Sequence, residues 1–174
     1  MSLPKNVPDV THDEIKQMME YHEDGSLTWR IQRGPFPSGT RVGTITNGRR
    51  QCSINNVRVY TANVVWFYHL GYFPVQKGFI LDHKDGDSLN DRIGNLRPAT
   101  QGKNRINASK RKNREHTGVY PRGDKFISKI QNEGVIHHLG TYNTVQEASA
   151  AYKGASLILH GEFSIFNRPE KENQ

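Results

Sequence analysis

Cysteine and apolar side chains are both scarce in this chain. Cys52 is the only cysteine, so no disulfide can form within the chain, and a zinc site built from paired Cys-x-x-Cys motifs is excluded. Hydrophobic residues make up 34% of the 174 positions, and the mean hydropathy is −0.77. This composition predicts one or two domains with small cores that fold without structural zinc.

Long hydrophobic runs are missing as well. No segment reaches the length of a transmembrane helix, and the first ten residues (MSLPKNVPDV) lack the apolar stretch of a signal peptide. We therefore expect no membrane partner and a cytoplasmic location.

Acidic residues are outnumbered, with 17 Asp and Glu against 24 Lys and Arg, a net charge of +7 and a pI of about 9.6. The excess is concentrated between Arg97 and Gln131, a stretch that contains ten basic residues and two acidic ones. A solvated basic face would be the simplest explanation. Its position next to the polar stretch described below favours a polyanionic partner, namely nucleic acid.

Chemically active side chains are concentrated in residues 81–107, LDHKDGDSLNDRIGNLRPATQGKNRIN. A short apolar run ends at Asp82 and His83 and is typical of a strand. A polar loop containing Asn95 follows, and Thr100 is a candidate N-cap for a helix carrying Asn104. Oxygen atoms of Asp82 and Asn104 suit Mg²⁺, or Mn²⁺, and a neutral His83 can take a proton from water near pH 7.

These residues, DHKDGD…N…NLR…T…N, resemble the HNH endonucleases, in the ββα-metal subgroup found in phage and intron-encoded enzymes. The resemblance implies that His83 is the general base, that Asn95 braces the loop, and that Asp82 and Asn104 are metal ligands. It also implies a bacterial or phage-infected host cell. A calcium loop is disfavoured because the twelfth position counted from Asp82 or Asp85 is not Glu.

The preceding residues predict helices around a small antiparallel sheet. Thr11 and Glu14 form a capping-box pattern for a helix running to about Tyr21. Alternation and Asn-containing turns predict hairpins from Ser26 to Thr61, whose arginines are either surface residues or phosphate contacts. A short apolar helix, residues 62–70, then precedes the core.

That apolar helix departs from the family pattern. Phage HNH proteins commonly read His-Arg-Leu-Val-Trp at this place, whereas this chain reads Asn63-Val64-Val65-Trp66. The role of the missing His is therefore in doubt at Asn63. His69, on the same helix, is interpreted as structural rather than catalytic.

The C-terminal residues predict a second unit. Strand alternation over 125–131 and 135–142 is followed by a helix with Thr144 as N-cap and Glu147 three residues later. The motifs TGVYPRGDKFISKI, HHLGTY and QEASAAYKGAS resemble the apetala-type domain of plant ethylene-response factors. That resemblance implies a three-stranded sheet that binds the DNA major groove, with the helix behind it.

The resemblance also indicates which residues face DNA. The family's usual Gly-Val-Arg start is Gly118-Val119-Tyr120 in this chain, so the DNA sequence preference of the family cannot be transferred to it. The expected DNA-binding residues of the sheet are Tyr120, Arg122, Lys125, Lys129, Gln131 and His138. Basic residues of the preceding helix and linker are expected to bind the phosphate backbone. They are Arg105, Lys110, Arg111, Lys112 and Arg114.

The predicted fold class is α+β. We expect residues 1–107 to form a nuclease region, with its ββα-metal core at about 78–107, and residues 108–116 to form a basic linker. Residues 117–168 form a three-stranded antiparallel sheet packed on one helix, and 169–174 a tail.

The predicted function is a divalent-metal-dependent endonuclease acting on double-stranded DNA as a monomer. Nicking and double-strand cleavage both remain open. The alternatives are a DNA-binding protein with a degenerate nuclease core and a nuclease directed at RNA. A sheet that reads the major groove favours DNA, because the major groove of A-form RNA is deep and narrow.

Overall fold

The computed structural model describes residues 7–107 and 116–169, and the chain divides into two units, 1–101 and 102–174. Both units combine helices with small antiparallel sheets. The predicted α+β class is confirmed. No helix in the described part of the chain is long and apolar enough to span a membrane.

The first helix, α1 (His12–Met18), begins with the expected capping box. The Thr11 hydroxyl accepts from the Glu14 backbone N–H, and the Glu14 carboxylate accepts from the Thr11 N–H at 2.7 Å. The prediction that this helix continues to about Tyr21 was wrong. Met19–Tyr21 form a strand, β1, paired antiparallel with β2 (Leu27–Trp29). Met19 is fully buried in this strand, so the pairing overrides the helical spacing of the apolar residues.

A three-stranded antiparallel sheet follows, with β3 (Thr44–Thr46), β4 (Arg49–Ile54) and β5 (Val57–Tyr60) in that order. Its two turns, at Asn47-Gly48 and Asn55-Asn56, have positive φ at all four positions, as two-residue hairpin loops require. The predicted hairpins are confirmed.

Helix α2 (Thr61–Leu70) supplies much of the first unit's core. Val64, Val65, Trp66 and Phe67 are buried, and the helix ends at Gly71 with φ of 72°. The core also contains Leu81 and Leu96. These two residues belong to the next hairpin, so the hairpin that carries the candidate site is anchored on the core.

That hairpin consists of β6 (Ile80–His83) and β7 (Leu96–Ala99), paired antiparallel with Asp82 opposite Arg97 and His83 opposite Leu96. A short 3-10 helix, Ile93–Asn95, leads into β7. Helix α3 (Gln101–Asn107) begins directly after Thr100. The strand and helix predicted around the polar loop are therefore both present.

The second unit contains strands β8 (Val119–Arg122), β9 (Lys125–Asn132) and β10 (Val135–Tyr142), with β9 in the centre. Helix α4 (Val145–His160) starts with a capping box between Thr144 and Glu147. A three-stranded antiparallel sheet packed on one helix was predicted and is confirmed.

Gly118 permits the close approach of this helix to the sheet. Its φ is +73°, and a Cβ atom there would lie 2.0 Å from a ring carbon of Tyr152 on α4. Any side chain would therefore displace the tyrosine ring or the strand, which explains a glycine immediately before β8.

Candidate functional site

Asp82 lies in the middle of the β6–β7 hairpin and forms a buried ion pair. Arg97, directly opposite on β7, places Nε at 2.8 Å and Nη2 at 2.7 Å from Asp82 Oδ2. Asp82 is 3% exposed and Arg97 is 7% exposed. The pair fixes the orientation of the carboxylate, and removing one partner of such a buried pair typically costs about 3–5 kcal/mol.

His83, the next residue, belongs to a different hydrogen-bonded group. Its Nε2 lies 2.9 Å from Asp91 Oδ1, and the other oxygen, Asp91 Oδ2, accepts a hydrogen bond of 2.6 Å from the Thr61 hydroxyl. All three side chains are buried. A carboxylate can only accept, so a neutral His83 carries its proton on Nε2 and its lone pair on Nδ1.

This arrangement can orient a general base. A carboxylate behind a histidine holds the imidazole in one tautomer and stabilises the imidazolium that forms when the ring accepts a proton. Thr61, at the first position of α2, holds the carboxylate in turn. His83 is therefore coupled to the helix that forms much of the first unit's core.

Asp91 and Thr61 were not predicted from the sequence. Asp91 lies 8 residues after His83 and 30 residues after Thr61. It is one of several acids in a polar loop, and no local pattern separates it from Asp85 or Asp87. The only signal was a carboxylate in the loop that follows a candidate base.

Asn95 spans the loop between the two strands. Its side-chain N–H groups donate to Asp85 Oδ1 at 3.0 Å and to the Asn90 carbonyl at 2.8 Å, and its Oδ1 accepts from the Asp85 N–H at 3.1 Å. Asp85 Oδ2 also accepts from Asn90 at 2.7 Å. These bonds close the loop immediately after His83, whose carbonyl accepts from the Gly86 N–H.

Asn104 and Arg105 lie on α3. Asn104 is half-buried, and Arg105 is exposed. No group of three or more His, Cys, Asp and Glu side chains within residues 7–107 and 116–169 is arranged to hold a metal. Asp82 belongs to the first unit and Asn104 to the second, and they carry a carboxylate and a carboxamide oxygen. Oxygen donors of these two types suit Mg²⁺, which keeps several waters and needs few protein ligands.

His69 packs in the first unit through ring contacts. Its ring lies edge-on to Tyr21, with a centroid distance of 4.5 Å. Burial lowers the pKa of His69, and the charges of Lys16 and His12 lower it further. Asn63, on the same helix, is half-buried.

The arginines of the N-terminal hairpins contact protein groups. Arg30 donates from Nε to the Met19 carbonyl, and Arg50 donates to the Gly43 carbonyl. Arg33 lies over the Trp29 ring and Arg49 over the Tyr60 ring. These contacts account for the four residues as parts of the fold, while a phosphate contact for them stays a prediction.

The second unit carries a basic surface, which we call the outer face of the sheet. It is the face opposite the buried residues Ser128 and Ile130 on β9, against which α4 packs. Alternation along β9 and the registers of β8 and β10 determine its members. They are Tyr120, Arg122, Lys125, Ile127, Lys129, Gln131, Ile136, His138 and Thr141.

All six sheet residues predicted to bind DNA belong to this outer face. Each of the six is exposed. The three strands contain no Asp or Glu and contribute three cations, Arg122, Lys125 and Lys129, while the two turns that join the strands carry one acid each, Asp124 and Glu133. The predicted linker residues Lys110, Arg111, Lys112 and Arg114 lie outside the described part of the chain.

Comparison with known proteins finds one family model that matches a segment of the chain. Residues 59–105 match the model of the HNH endonuclease family. The matched segment runs from the end of β5 through α2 and the β6–β7 hairpin into α3, so it includes Thr61, Asp82, His83, Asp91 and Asn104. The match supports nuclease activity, that is, hydrolysis of a nucleic acid substrate. HNH nucleases generally use a divalent metal ion. No curated protein and no solved structure matches the chain.

Proposed function

We propose that this chain is a divalent-metal-dependent DNA endonuclease in which His83 is the general base. The observation that carries the proposal is the buried group of His83, Asp91 and Thr61 inside the segment that matches the HNH endonuclease model. A histidine held in this way by a carboxylate, next to a second carboxylate at Asp82, has the parts that phosphodiester hydrolysis requires.

In the proposed reaction, His83 Nδ1 takes a proton from the water that attacks the phosphorus atom. The imidazolium so formed donates from Nε2 to Asp91 Oδ1, and the negative charge of Asp91 stabilises it. A general base of this kind typically contributes about 10² to 10⁴ in rate.

Asp82 and Asn104 would hold the metal ion, Mg²⁺ or Mn²⁺. When bound, the ion supplies stabilisation of negative charge on the phosphate and on the leaving oxygen. Arg97 keeps the Asp82 carboxylate in a fixed orientation. Asn95 keeps the loop closed, and with it the backbone that presents His83.

Double-stranded DNA would be held mainly by the second unit. The outer face of the sheet offers Arg122, Lys125 and Lys129 to phosphates, with Gln131 and His138 between them for base edges. Arg105 and the basic linker would add phosphate contacts. One proposed site per chain predicts a monomer that nicks one strand in each binding event.

The test is a cleavage assay on supercoiled plasmid, single-stranded DNA and RNA of matched length, with Mg²⁺ or with EDTA. We expect cleavage of the plasmid with Mg²⁺ and no cleavage with EDTA. Cleavage of RNA but not plasmid would favour an RNA nuclease. Salt-dependent plasmid binding without cleavage in either Mg²⁺ or Mn²⁺ would favour a DNA-binding protein with a degenerate core.

The metal ligands are tested by titration of Mg²⁺. Asp82→Asn keeps an oxygen acceptor for Arg97 but removes the charge, so it should raise the Mg²⁺ concentration needed for half-maximal cleavage. Asn104→Ala should do the same. Gln101→Ala is a matched control, because it removes an exposed carboxamide from the helix that carries Asn104 and no proposed ligand. An unchanged titration in both variants would remove Asp82 and Asn104 from the metal site.

A further inference from the structure

Apolar side chains interrupt the basic outer face of the C-terminal sheet. Ile136 is 66% exposed and Tyr120 is 37% exposed, and Ile127 lies opposite Tyr120 on the central strand. Ile136 is the direct cross-strand partner of Gln131, so the two side chains stand side by side on this face.

The fold itself does not require an isoleucine at position 136. The core of this unit is on the opposite side of the sheet, where Ile130 and Ser128 are buried against α4. A shallow depression in the sheet is lined by Tyr120, Lys129, Ile130, Gln131 and Ile136, and all of these except Ile130 belong to the outer face. A partner that fills it must offer both negative charge and an apolar group.

The major groove of duplex DNA offers this combination. Three strands about 4.8 Å apart span roughly 10 Å, and the groove is about 12 Å wide. Phosphates border the groove and would meet Arg122, Lys125 and Lys129. The only apolar group that the bases present there is the C5-methyl group of thymine, whose partner adenine offers N6–H and N7 to an amide side chain.

We propose that Ile136 contacts a thymine methyl group and that the neighbouring Gln131 binds the adenine edge, so that the outer face selects A·T pairs. This inference rests on the proposed binding of DNA by the same face. The amide of Gln131 makes a long hydrogen bond of 3.4 Å to the Gly134 carbonyl, which an adenine can replace.

The experiment measures binding of the full chain in EDTA, so that no cleavage occurs. The probes are duplexes of about 24 base pairs, long enough for two turns of the major groove. The first duplex alternates A and T, and the second is the same duplex with deoxyuridine in place of thymidine. The third alternates G and C, and the fourth alternates G and 5-methylcytosine. Deoxyuridine differs from thymidine by the methyl group alone, and 5-methylcytosine restores a methyl group without adenine. Alternating sequences present the same base pairs in every binding register.

The wild-type chain should bind the thymidine duplex about fourfold more tightly than the deoxyuridine duplex, as expected for one buried methyl group. Ile136→Ala should abolish that ratio. Ile158→Ala is the matched control, because Ile158 is 82% exposed on α4 and outside the outer face. Gln131→Ala should lose the preference for A·T over G·C and keep the thymidine-to-deoxyuridine ratio.

Equal binding of the thymidine and deoxyuridine duplexes by the wild-type chain would overturn the inference, as would an unchanged ratio in Ile136→Ala. Lys129→Ala separates this failure from a failure of the DNA-binding role proposed for the outer face, because it should weaken binding to all four probes alike. If Lys129→Ala binds every probe as the wild type does, DNA does not use this face, and the A·T preference and the DNA-binding role of the face both fail. Binding to anionic phospholipid vesicles without duplex binding would also overturn both. The proposed role of His83 is tested separately by cleavage.

Discussion

Exchange of Asp91 for Asn is the sharpest probe of the group around His83. The substitution keeps the size of a side chain that is only 5% exposed, and it removes the charge that faces His83 Nε2 at 2.9 Å. The new amide has one acceptor atom and one donor atom, whereas Asp91 accepts from both His83 and Thr61. One of these two contacts must therefore change.

Two arrangements are available to the new carboxamide. If its oxygen faces His83, the tautomer is kept, and the Thr61 hydroxyl can donate to the Arg50 carbonyl, which is 3.3 Å away. A charge-assisted hydrogen bond then becomes a neutral one, a loss of about 1–2 kcal/mol. If its amide nitrogen faces His83, the histidine proton moves to Nδ1, and the proposed base is lost. The same exchange behind a serine-protease histidine lowers kcat by about 10⁴.

Asp91→Asn should therefore lower kcat for plasmid cleavage by about fivefold at least, and by up to about 10⁴. Its DNA affinity in EDTA should be unchanged, because Asp91 is not on the DNA-binding surface. Thr61→Ser keeps the hydroxyl that holds Asp91 and should retain most activity. Cleavage at the wild-type rate by a folded Asp91→Asn chain would refute this role of the carboxylate.

Three further outcomes are expected. Asn95→Ala should lower both the thermal midpoint and the cleavage rate, because it leaves buried loop groups unpaired at about 1–3 kcal/mol; an unchanged midpoint would contradict the bracing role. The triple variant Arg122→Ala, Lys125→Ala, Lys129→Ala should reduce the slope of log K against log salt by about 2.7, and an unchanged slope would place the phosphates elsewhere. Burial raises the pKa of Cys52 to about 12, so at about pH 8 a thiol reagent should modify it rapidly only after denaturation.

Local signals explain what the sequence predicted correctly. The Thr11 and Thr144 capping boxes and the Asn-containing hairpin turns each depend on residues within three or four positions of one another. The apolar run before Asp82 and the N-cap candidate Thr100 likewise marked β6 and α3. The alternation along residues 125–131 placed Lys125, Lys129 and Gln131 on one side of the strand, and the resemblance to the apetala-type domain added Tyr120, Arg122 and His138.

Contacts between distant residues explain what the sequence did not show. The end of α1 at Met18 depends on the pairing of Met19 with Trp29 in the hairpin. The pairing of Asp82 with Arg97 depends on the register of β6 with β7. Asp91 becomes recognisable only when α2 brings Thr61 against it.

The central claim, that His83 is the base of a metal-dependent nuclease, is tested most directly by one measurement. Wild-type chain and His83→Ala are compared for cleavage of supercoiled plasmid in Mg²⁺, and their plasmid affinities are compared in EDTA. We expect His83→Ala to cleave about 10² to 10⁴ more slowly and to bind with unchanged affinity, because it removes the base and leaves the cationic surface intact. Cleavage by His83→Ala at the wild-type rate in Mg²⁺ would contradict the claim.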